Sequence, residues 1–289
     1  EVERVYEATG IKKICLQEGV GLVYFSAPRM HGRYALTDWL DRVDRLISVP
    51  KFKTHGLTVL TGGVKNLFGL VVGMNKMLVH RDFVHPRDLS RALIDIYALR
   101  RPDLTVLDGI VAMEGEGPGS SGTLRSLDLV AASADALSLD MILARIMGIS
   151  PEAVPTNREA LRRGMSPVFE VVGEPLEKFR GRDFILPKSS ILQRLPRWSL
   201  GFVKIALSMR PWIEARKCRV CGACARSCPA TAITRVQGRM KIDGLRCQVC
   251  LCCQEVCPYA AIHIRKNLFL NLLTDIALWF KRVCRSGRS

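Results

Sequence analysis

"CQVCLCCQEVCP", residues 247–258, repeats the cysteine spacing of "CRVCGACARSCP", residues 218–229. Both segments read C-x2-C-x2-C-x3-C-P, and a constant offset of 29 residues relates their first and their last cysteines. The match continues beyond the cysteines, since "CPATAI" (228–233) aligns with "CPYAAI" (257–262). The two segments are therefore an internal duplication, and they contain nine of the eleven cysteines of this 289-residue chain.

The spacing predicts metal ligation by thiolates. Cysteines at i, i+3 and i+6 on a tightly turning loop can face one centre, and the proline after the fourth cysteine directs that sulfur elsewhere. Soft thiolate ligands in groups of four suit iron–sulfur clusters or zinc. Zinc sites usually pair two C-x2-C units around one ion, so the spacing favours [4Fe–4S] clusters and leaves zinc as the alternative.

In bacterial chains with this spacing the fourth cysteine ligates the other cluster. The ligands predicted for cluster one are therefore Cys218, Cys221, Cys224 and Cys257, and those for cluster two are Cys228, Cys247, Cys250 and Cys253. The stretch resembles bacterial-type two-cluster ferredoxins over about 50 residues. This resemblance implies an α+β ferredoxin-like domain with two short hairpins and two helices, one hairpin being expected at 232–243.

Cys252 is left over by the register of the repeat. Cys253 aligns with Cys224, whereas Cys252 aligns with Ala223. One interpretation is a small buried residue beside the cluster, a role that cysteine fills well. The other is a substitute ligand, or a thiol that tunes the cluster potential.

Residues 1–187 predict an α/β domain with a mixed, largely parallel sheet, because strand-like runs alternate with helical patterns. Strands are expected at 21–26, 44–50, 103–111, 126–133 and 169–174, and helices at 86–101 and 135–148. The first helix places Leu89, Leu93, Ile96 and Tyr97 on one face. Three further parts follow: a linker (188–213), the ferredoxin-like domain (214–266) and an amphipathic, basic tail (267–289).

Polar residues and glycines are concentrated in four stretches of the α/β domain: 50–56, 61–69, 80–86 and 108–123. Ligands of α/β proteins bind at the carboxyl ends of strands, so these stretches together predict a site for an anionic ligand. Each stretch alone is equally consistent with a solvated edge, a structural histidine or a turn. The candidate site residues are Lys51, Lys53, His55, Lys65, Asn66, His80, Asp108, Glu114 and Asp140.

Three longer blocks carry a family resemblance: "VPKFKTHGLTVLTGGVKNLFGLVVG" (49–73), "RPDLTVLDGIVAMEGEGPGSSGT" (101–123) and "SADALSLDMILARIMGI" (133–149). They resemble the signature blocks of the family called domain of unknown function 362, over about residues 5–175 and 214–262. Its members often carry a C-terminal ferredoxin module with adjacent cysteines in the second motif. They usually begin with further residues, so the N-terminal part of the sheet is expected to be incomplete here. The resemblance implies the fold and cluster binding, and it supplies no substrate.

The chain has 43 Lys and Arg against 27 Asp and Glu, a formal net charge of +16. Such a charge favours anionic partners, and we expect an acidic redox protein and an anionic small molecule. The absence of a basic run with interleaved aromatic residues argues against nucleic acid. The tail fits either a helix docked on protein or a membrane-surface anchor. We expect a cytoplasmic location, with peripheral contact at the inner face of a membrane as a further expectation.

These features predict an electron-transfer protein whose two [4Fe–4S] clusters serve an α/β domain of unknown substrate. If the chain is an enzyme, an oxidoreductase is expected. The alternative is a cluster-stabilised binding or assembly protein without redox turnover.

Overall fold

The computed structural model describes residues 2–12, 14, 22–25, 32–73, 75–83, 85–117, 122–179, 184–187, 210–247 and 250–265. The chain begins with helix α1, Val2–Thr9. An antiparallel ribbon follows, formed by β1, Leu22–Phe25, and β2, Tyr34–Thr37. The predicted tail and residues 188–209 of the predicted linker lie outside the described residues.

The main sheet is built around strand β6, Leu104–Gly115. On one edge β7, Gly122–Ser133, runs antiparallel to it. On the other edge β3, Ile47–Ser48, and β4, Lys51–His55, run parallel to it, and β5, Val59–Thr61, pairs antiparallel with β4. The predicted mixed sheet is confirmed. The expectation that it is largely parallel was wrong, because the short connections after β4 and β6 permit only antiparallel neighbours.

Among the described residues, the α/β domain has five further α-helices: α2, Gly63–Asn66; α3, Asn75–Asp82; α4, Pro86–Leu99; α5, Ala136–Ile146; and α6, Pro155–Arg162. The helices predicted at 86–101 and 135–148 are confirmed as α4 and α5. Side chains cap both, since His85 Nδ1 accepts a hydrogen bond from Arg87 N (3.1 Å) and Asp135 accepts one from Ser138 N (2.9 Å). The apolar face predicted for α4 is buried in the core.

The strand predicted at 169–174 is absent, and this segment has no regular structure. Phe169 packs against the core, but Val171 and Val172 are 44% and 86% exposed and have little to pack against. β-branched residues favour strands only where neighbouring strands and a core accept their side chains. Among the described helices, none combines the length and the apolar character that crossing a bilayer requires.

The described residues of the C-terminal unit form four short strands and two one-turn helices. They are β8, Arg210–Ile213; α7, Ala223–Arg226; β9, Ile233–Val236; β10, Arg239–Ile242; α8, Cys252–Glu255; and β11, Ile262–Arg265. β9 and β10 form the hairpin predicted from the sequence, and positive φ angles at Gln237 and Gly238 (47° and 73°) make its two-residue turn. β8, at residues that the sequence assigned to the linker, pairs with β11.

The duplication is visible in the backbone of this unit. Gly222 and Leu251, 29 residues apart, precede α7 and α8 with φ of 75° and 66°. Thr231 and Ala260 repeat the pattern, each with φ of 48°. The same local conformation therefore surrounds both cysteine motifs.

Candidate cluster sites and the domain junction

Four cysteines line a recess of about 310 Å³, including its mouth, which we call the first recess. They come from both motifs: Cys218, Cys221, Cys224 and Cys257. Apolar side chains, among them Met240 and Ile262, form much of the remaining wall. The recess thus gathers the complete set of cysteines that the sequence groups for cluster one.

The second recess, of about 330 Å³ with its mouth, contains the other set: Cys228, Cys247, Cys250 and Cys253. Its wall includes Ile233, Ile242 and Leu251. Backbone amides donate to the fourth sulfur of each motif, from Ala232 N to Cys228 Sγ (3.2 Å) and from Ala261 N to Cys257 Sγ (3.3 Å). Such donors stabilise thiolates, the form of cysteine that binds metal.

The donor chemistry fits iron–sulfur clusters. Each recess offers four sulfur donors, apolar walls and a backbone N–H aimed at one sulfur. Within the described ranges, no three Cys, His, Asp or Glu side chains converge closely enough to share a single metal ion. Four thiolates in each recess are the ligand set of a [4Fe–4S] cluster.

The two recesses differ in their exposure to solvent. Cys221 of the first set is exposed, whereas Cys250 and Cys253 of the second set are buried. The loop that carries the second set meets the α/β domain, where Leu251, Gln254 and Glu255 line a pocket with His55 and Gly117. The second recess is consequently the one adjacent to the candidate residues of the α/β domain.

His55 and Glu255 make the central contact of this junction. His55 Nε2 lies 2.9 Å from Glu255 Oε1, and the His55 side chain is 1% exposed. His55 Nδ1 accepts hydrogen bonds from Leu57 N (3.1 Å) and Thr58 N (3.3 Å), so the ring proton resides on Nε2. Burial lowers the pKa of His55, which keeps the ring neutral while Nε2 lies beside the Glu255 carboxylate.

Lys65 and His80 lie within electrostatic range of the same carboxylate. Burial lowers the pKa of Lys65, Glu255 opposes part of that shift, and Lys53 adds to it. Burial lowers the pKa of His80 to about 4. Burial alone would raise the pKa of Glu255, but His55, Lys65 and His80 outweigh it and hold the value at about 2. We call His55, Lys65, His80 and Glu255 the junction cluster.

Asp140 supports the loop that carries Lys65. Its carboxylate is 1% exposed and accepts hydrogen bonds from Gly63 N (2.6 Å) and Val64 N (3.1 Å) at the start of α2. Burial raises the pKa of Asp140 to about 7. Asp140 thus positions α2 without entering the junction cluster.

The other candidates lie elsewhere. Lys51 and Asp108 form an exposed ion pair with Nζ and Oδ2 2.7 Å apart. Asn66 Nδ2 donates to Ser48 Oγ at 3.0 Å. Glu114 pairs with Arg125 (2.7 Å) and accepts from Ile185 N (3.1 Å), so it joins strand to loop.

The sequence-based candidates therefore divide into two groups. The structure brings together His55, Lys65 and His80, with Lys53 nearby. The sequence analysis missed Glu255, Gln254 and Leu251, because it treated the cysteine loop only as a source of ligands. One signal was available: Glu255 and Leu251 depart from their repeat partners Arg226 and Gly222.

Comparison with known proteins agrees with this division of the chain. The family model described as "Domain of unknown function (DUF362)" matches residues 1–145, half of the chain. A second model, described as a 4Fe-4S dicluster domain, matches residues 210–258. A similar protein is the thylakoid-associated protein sll1697 of Synechocystis sp., 38% identical over 136 residues, or 46% of this chain and 41% of that protein. The match thus spans about two fifths of that relative's length.

Proposed function

The chain belongs to the domain of unknown function 362 family and contains a 4Fe-4S dicluster domain, and from this premise we propose that it is an electron-transfer protein with two [4Fe–4S] clusters. The observation that carries the proposal is the pair of recesses, each lined by one complete set of four cysteines. Cys218, Cys221, Cys224 and Cys257 would hold cluster one. Cys228, Cys247, Cys250 and Cys253 would hold cluster two.

Bound [4Fe–4S] clusters supply one-electron transfer. The chain holds them in different surroundings, with the first recess open to solvent at Cys221 and the second bordered by the loop of Leu251, Gln254 and Glu255 that meets the α/β domain. We infer that electrons enter through the first recess and leave at the junction cluster. The burial of the second set supports this direction, because it removes that recess from competing acceptors in solvent.

We propose a small anionic molecule as the substrate at the junction. Lys65 forms no ion pair with a carboxylate of the described residues, and Lys53 adds a second positive charge nearby. His55 and His80 are neutral at pH 7 because burial lowers the pKa of each. The neutral imidazole of His80 can donate a hydrogen bond to a substrate, and it can accept a proton when an electron has been added to that substrate.

Iron and sulfide counts on anaerobically purified full-length protein test the proposal. We expect about eight irons per chain, the content of two [4Fe–4S] clusters. Electron paramagnetic resonance should show a signal after dithionite reduction that disappears on reoxidation. About four irons, or zinc in place of iron, would contradict the ligand assignment.

The alternative is a binding or assembly protein whose clusters are structural. The buried His55–Glu255 contact favours it, since this contact joins the cysteine domain to the α/β domain. On this alternative the clusters are present in full number but cannot be cycled between redox states. Repeated reduction and reoxidation without loss of iron would therefore exclude it.

We also propose peripheral contact with a membrane surface. The name of the thylakoid-associated relative supports it, as does the amphipathic, basic sequence of residues 267–289. The full chain should co-sediment with anionic vesicles at low salt, and removal of residues 267–289 should abolish this. Equal co-sedimentation of both forms would reject the tail as the anchor.

A further inference from the structure

We propose that the exposed surface around the first recess docks an acidic redox protein that donates single electrons to this chain. This inference rests on the proposed function, since it requires a cluster bound by the first set of cysteines. We call the surface the entry face and define it by its exposed members Arg219, Cys221, Arg226 and Tyr259. On docking, the donor loses one electron to the bound cluster, and no proton or chemical group is transferred.

The cysteines differ in their exposure to solvent. Of the nine described cysteines, Cys221 alone is exposed, whereas Cys224, Cys250, Cys252 and Cys253 are buried. The rate of electron transfer between proteins falls steeply with the distance between the two centres. A donor protein therefore approaches closest at Cys221.

The entry face is positively charged. Arg219 lines the first recess, and Arg226 Nη1 donates to the carbonyl oxygen of Cys221 at 3.2 Å. Neither guanidinium pairs with a carboxylate of the described residues. A surface with unpaired guanidinium groups attracts an acidic partner and raises its rate of association.

The C-terminal unit as a whole is also basic. Residues 210–265 contain ten Lys and Arg but three acidic residues, namely Glu214, Asp243 and Glu255. Each acid is engaged away from the entry-face arginines. Glu214 lies 2.9 Å from Lys217, Asp243 lies 3.9 Å from Arg246, and Glu255 belongs to the junction cluster.

An exposed aromatic ring completes the entry face. Tyr259 lines the first recess and is 45% exposed. Tyrosine and arginine are the residue types that carry much of the binding energy at protein interfaces. The combination fits a protein partner that presents carboxylates around a small apolar centre.

A pair of charge-reversal variants tests the entry face. The first is Arg219→Glu with Arg226→Glu. The matched control is Arg235→Glu with Arg239→Glu, exposed residues of the β9–β10 hairpin that line neither recess and change the net charge equally. Iron is counted in each protein, and its reduction by a reduced plant-type [2Fe–2S] ferredoxin, the acidic probe, is followed by stopped-flow absorbance at low ionic strength.

We expect the Arg219 and Arg226 variant to be reduced about tenfold more slowly or worse, with the control within about twofold of the unaltered chain. Added salt should remove the difference. Equal rates in variant and control, or reduction of the unaltered chain that is insensitive to salt, would overturn the entry face. If the double variant loses iron, Arg219→Glu alone is compared with Arg235→Glu under the same criteria.

The outcomes separate the two proposals. Iron well below eight per chain, or no signal after dithionite reduction, rejects the proposed function. Full iron content with equal rates in both double variants rejects the entry face alone.

Discussion

Cys252 is buried close to Cys250, which lines the second recess. The hydrogen bond to Cys250, together with burial, raises the pKa of Cys252. The same hydrogen bond lowers the pKa of Cys250. The raised pKa keeps the proton on Cys252, and together with the alignment of Cys253 to Cys224 it favours Cys252 as a thiol beside a cluster rather than as a ligand.

We predict that Cys252→Ala retains about eight irons per chain, whereas Cys253→Ala loses about four. The two residues are adjacent and both buried, so each substitution serves as the control for the other. Iron analysis after anaerobic purification measures the difference. Comparable iron loss in both variants would contradict the register of the repeat.

Asp140 gives the α/β domain a distinct dependence on pH. Its pKa in the folded chain is raised from 3.8 to about 7, so between these values the folded state binds more protons than the unfolded state. Stability contributed by this group is therefore lost as pH rises towards 7. The loss between pH 5.5 and 7.5 is about 2 kcal/mol.

We predict that Asp140→Asn removes this component of the pH dependence. It also lowers stability at pH 5.5 by about 1–3 kcal/mol, because one backbone N–H of α2 loses its acceptor. Thermal unfolding of both proteins across this pH range measures the two effects. Parallel pH profiles for the variant and the unaltered chain would show that Asp140 does not titrate there.

For single residues, the sequence predicts which cysteines share a cluster more readily than it predicts which polar residues meet in the fold. The cysteines follow a local rule of spacing, and the 29-residue offset separates Cys252 from Cys253 without a structure. The position of Glu255 opposite His55 depends instead on how two domains pack. No periodicity within either segment encodes that contact.

Helix α2 is short, and its position depends on close packing against α5. A Cβ atom added at Gly63 would lie 2.8 Å from Ala136 Cβ, nearer than side chains normally approach. Gly69, a few residues further along, has open space around the same position. Glycine at 63 therefore lets α2 approach α5 and places Lys65 at the junction.

We predict that Gly63→Ala destabilises the α/β domain by about 1–3 kcal/mol through overpacking. Gly69→Ala, the matched control, should leave stability unchanged within about 0.5 kcal/mol. Chemical denaturation followed by circular dichroism measures both. If the two variants are equally stable, the contact between α2 and α5 is not close enough to exclude a methyl group.

Among the helices and strands, those that combine a start signal with a regular apolar face were predictable. α4 and α5 combine a capping residue with an apolar face at helical spacing. The segment 169–174 has apolar, β-branched residues but no strand beside it, and only the tertiary structure reveals this. The direction of β5 and β7 follows from connection lengths, which the alternation of strands and helices does not fix.

At the scale of the whole molecule, Lys65 couples the α/β domain to the second cysteine set. Its ammonium group interacts electrostatically across the domain boundary with Glu255, which ends the short helix that carries Cys253. A nearby positive charge stabilises the reduced, more negative state of a cluster. Lys65 should therefore make the cluster held there easier to reduce.

We predict that Lys65→Met shifts the reduction potential of one cluster to more negative values, on the order of tens of millivolts. Lys178→Met is the control, since Lys178 is an exposed lysine of the same domain paired with Glu174. Redox titration monitored by electron paramagnetic resonance resolves the two clusters. The coupling is refuted by equal potentials in the two variants.

Duplication of a half-domain leaves two nearly interchangeable faces, and either could in principle pack against the rest of the chain. The two halves of the repeat differ in the residues at these faces. The second half has Leu251, Cys252 and Glu255 where the first has Gly222, Ala223 and Arg226. Leu251 adopts the left-handed conformation that its glycine counterpart adopts freely, at a cost of about 1–2 kcal/mol. If the first half of the repeat packed against the α/β domain instead, Arg226 would face His55 and Lys65 and would be repelled, whereas Glu255 is attracted. This inverted orientation is therefore disfavoured. A handful of residues thus gives a nearly symmetric module one orientation of assembly.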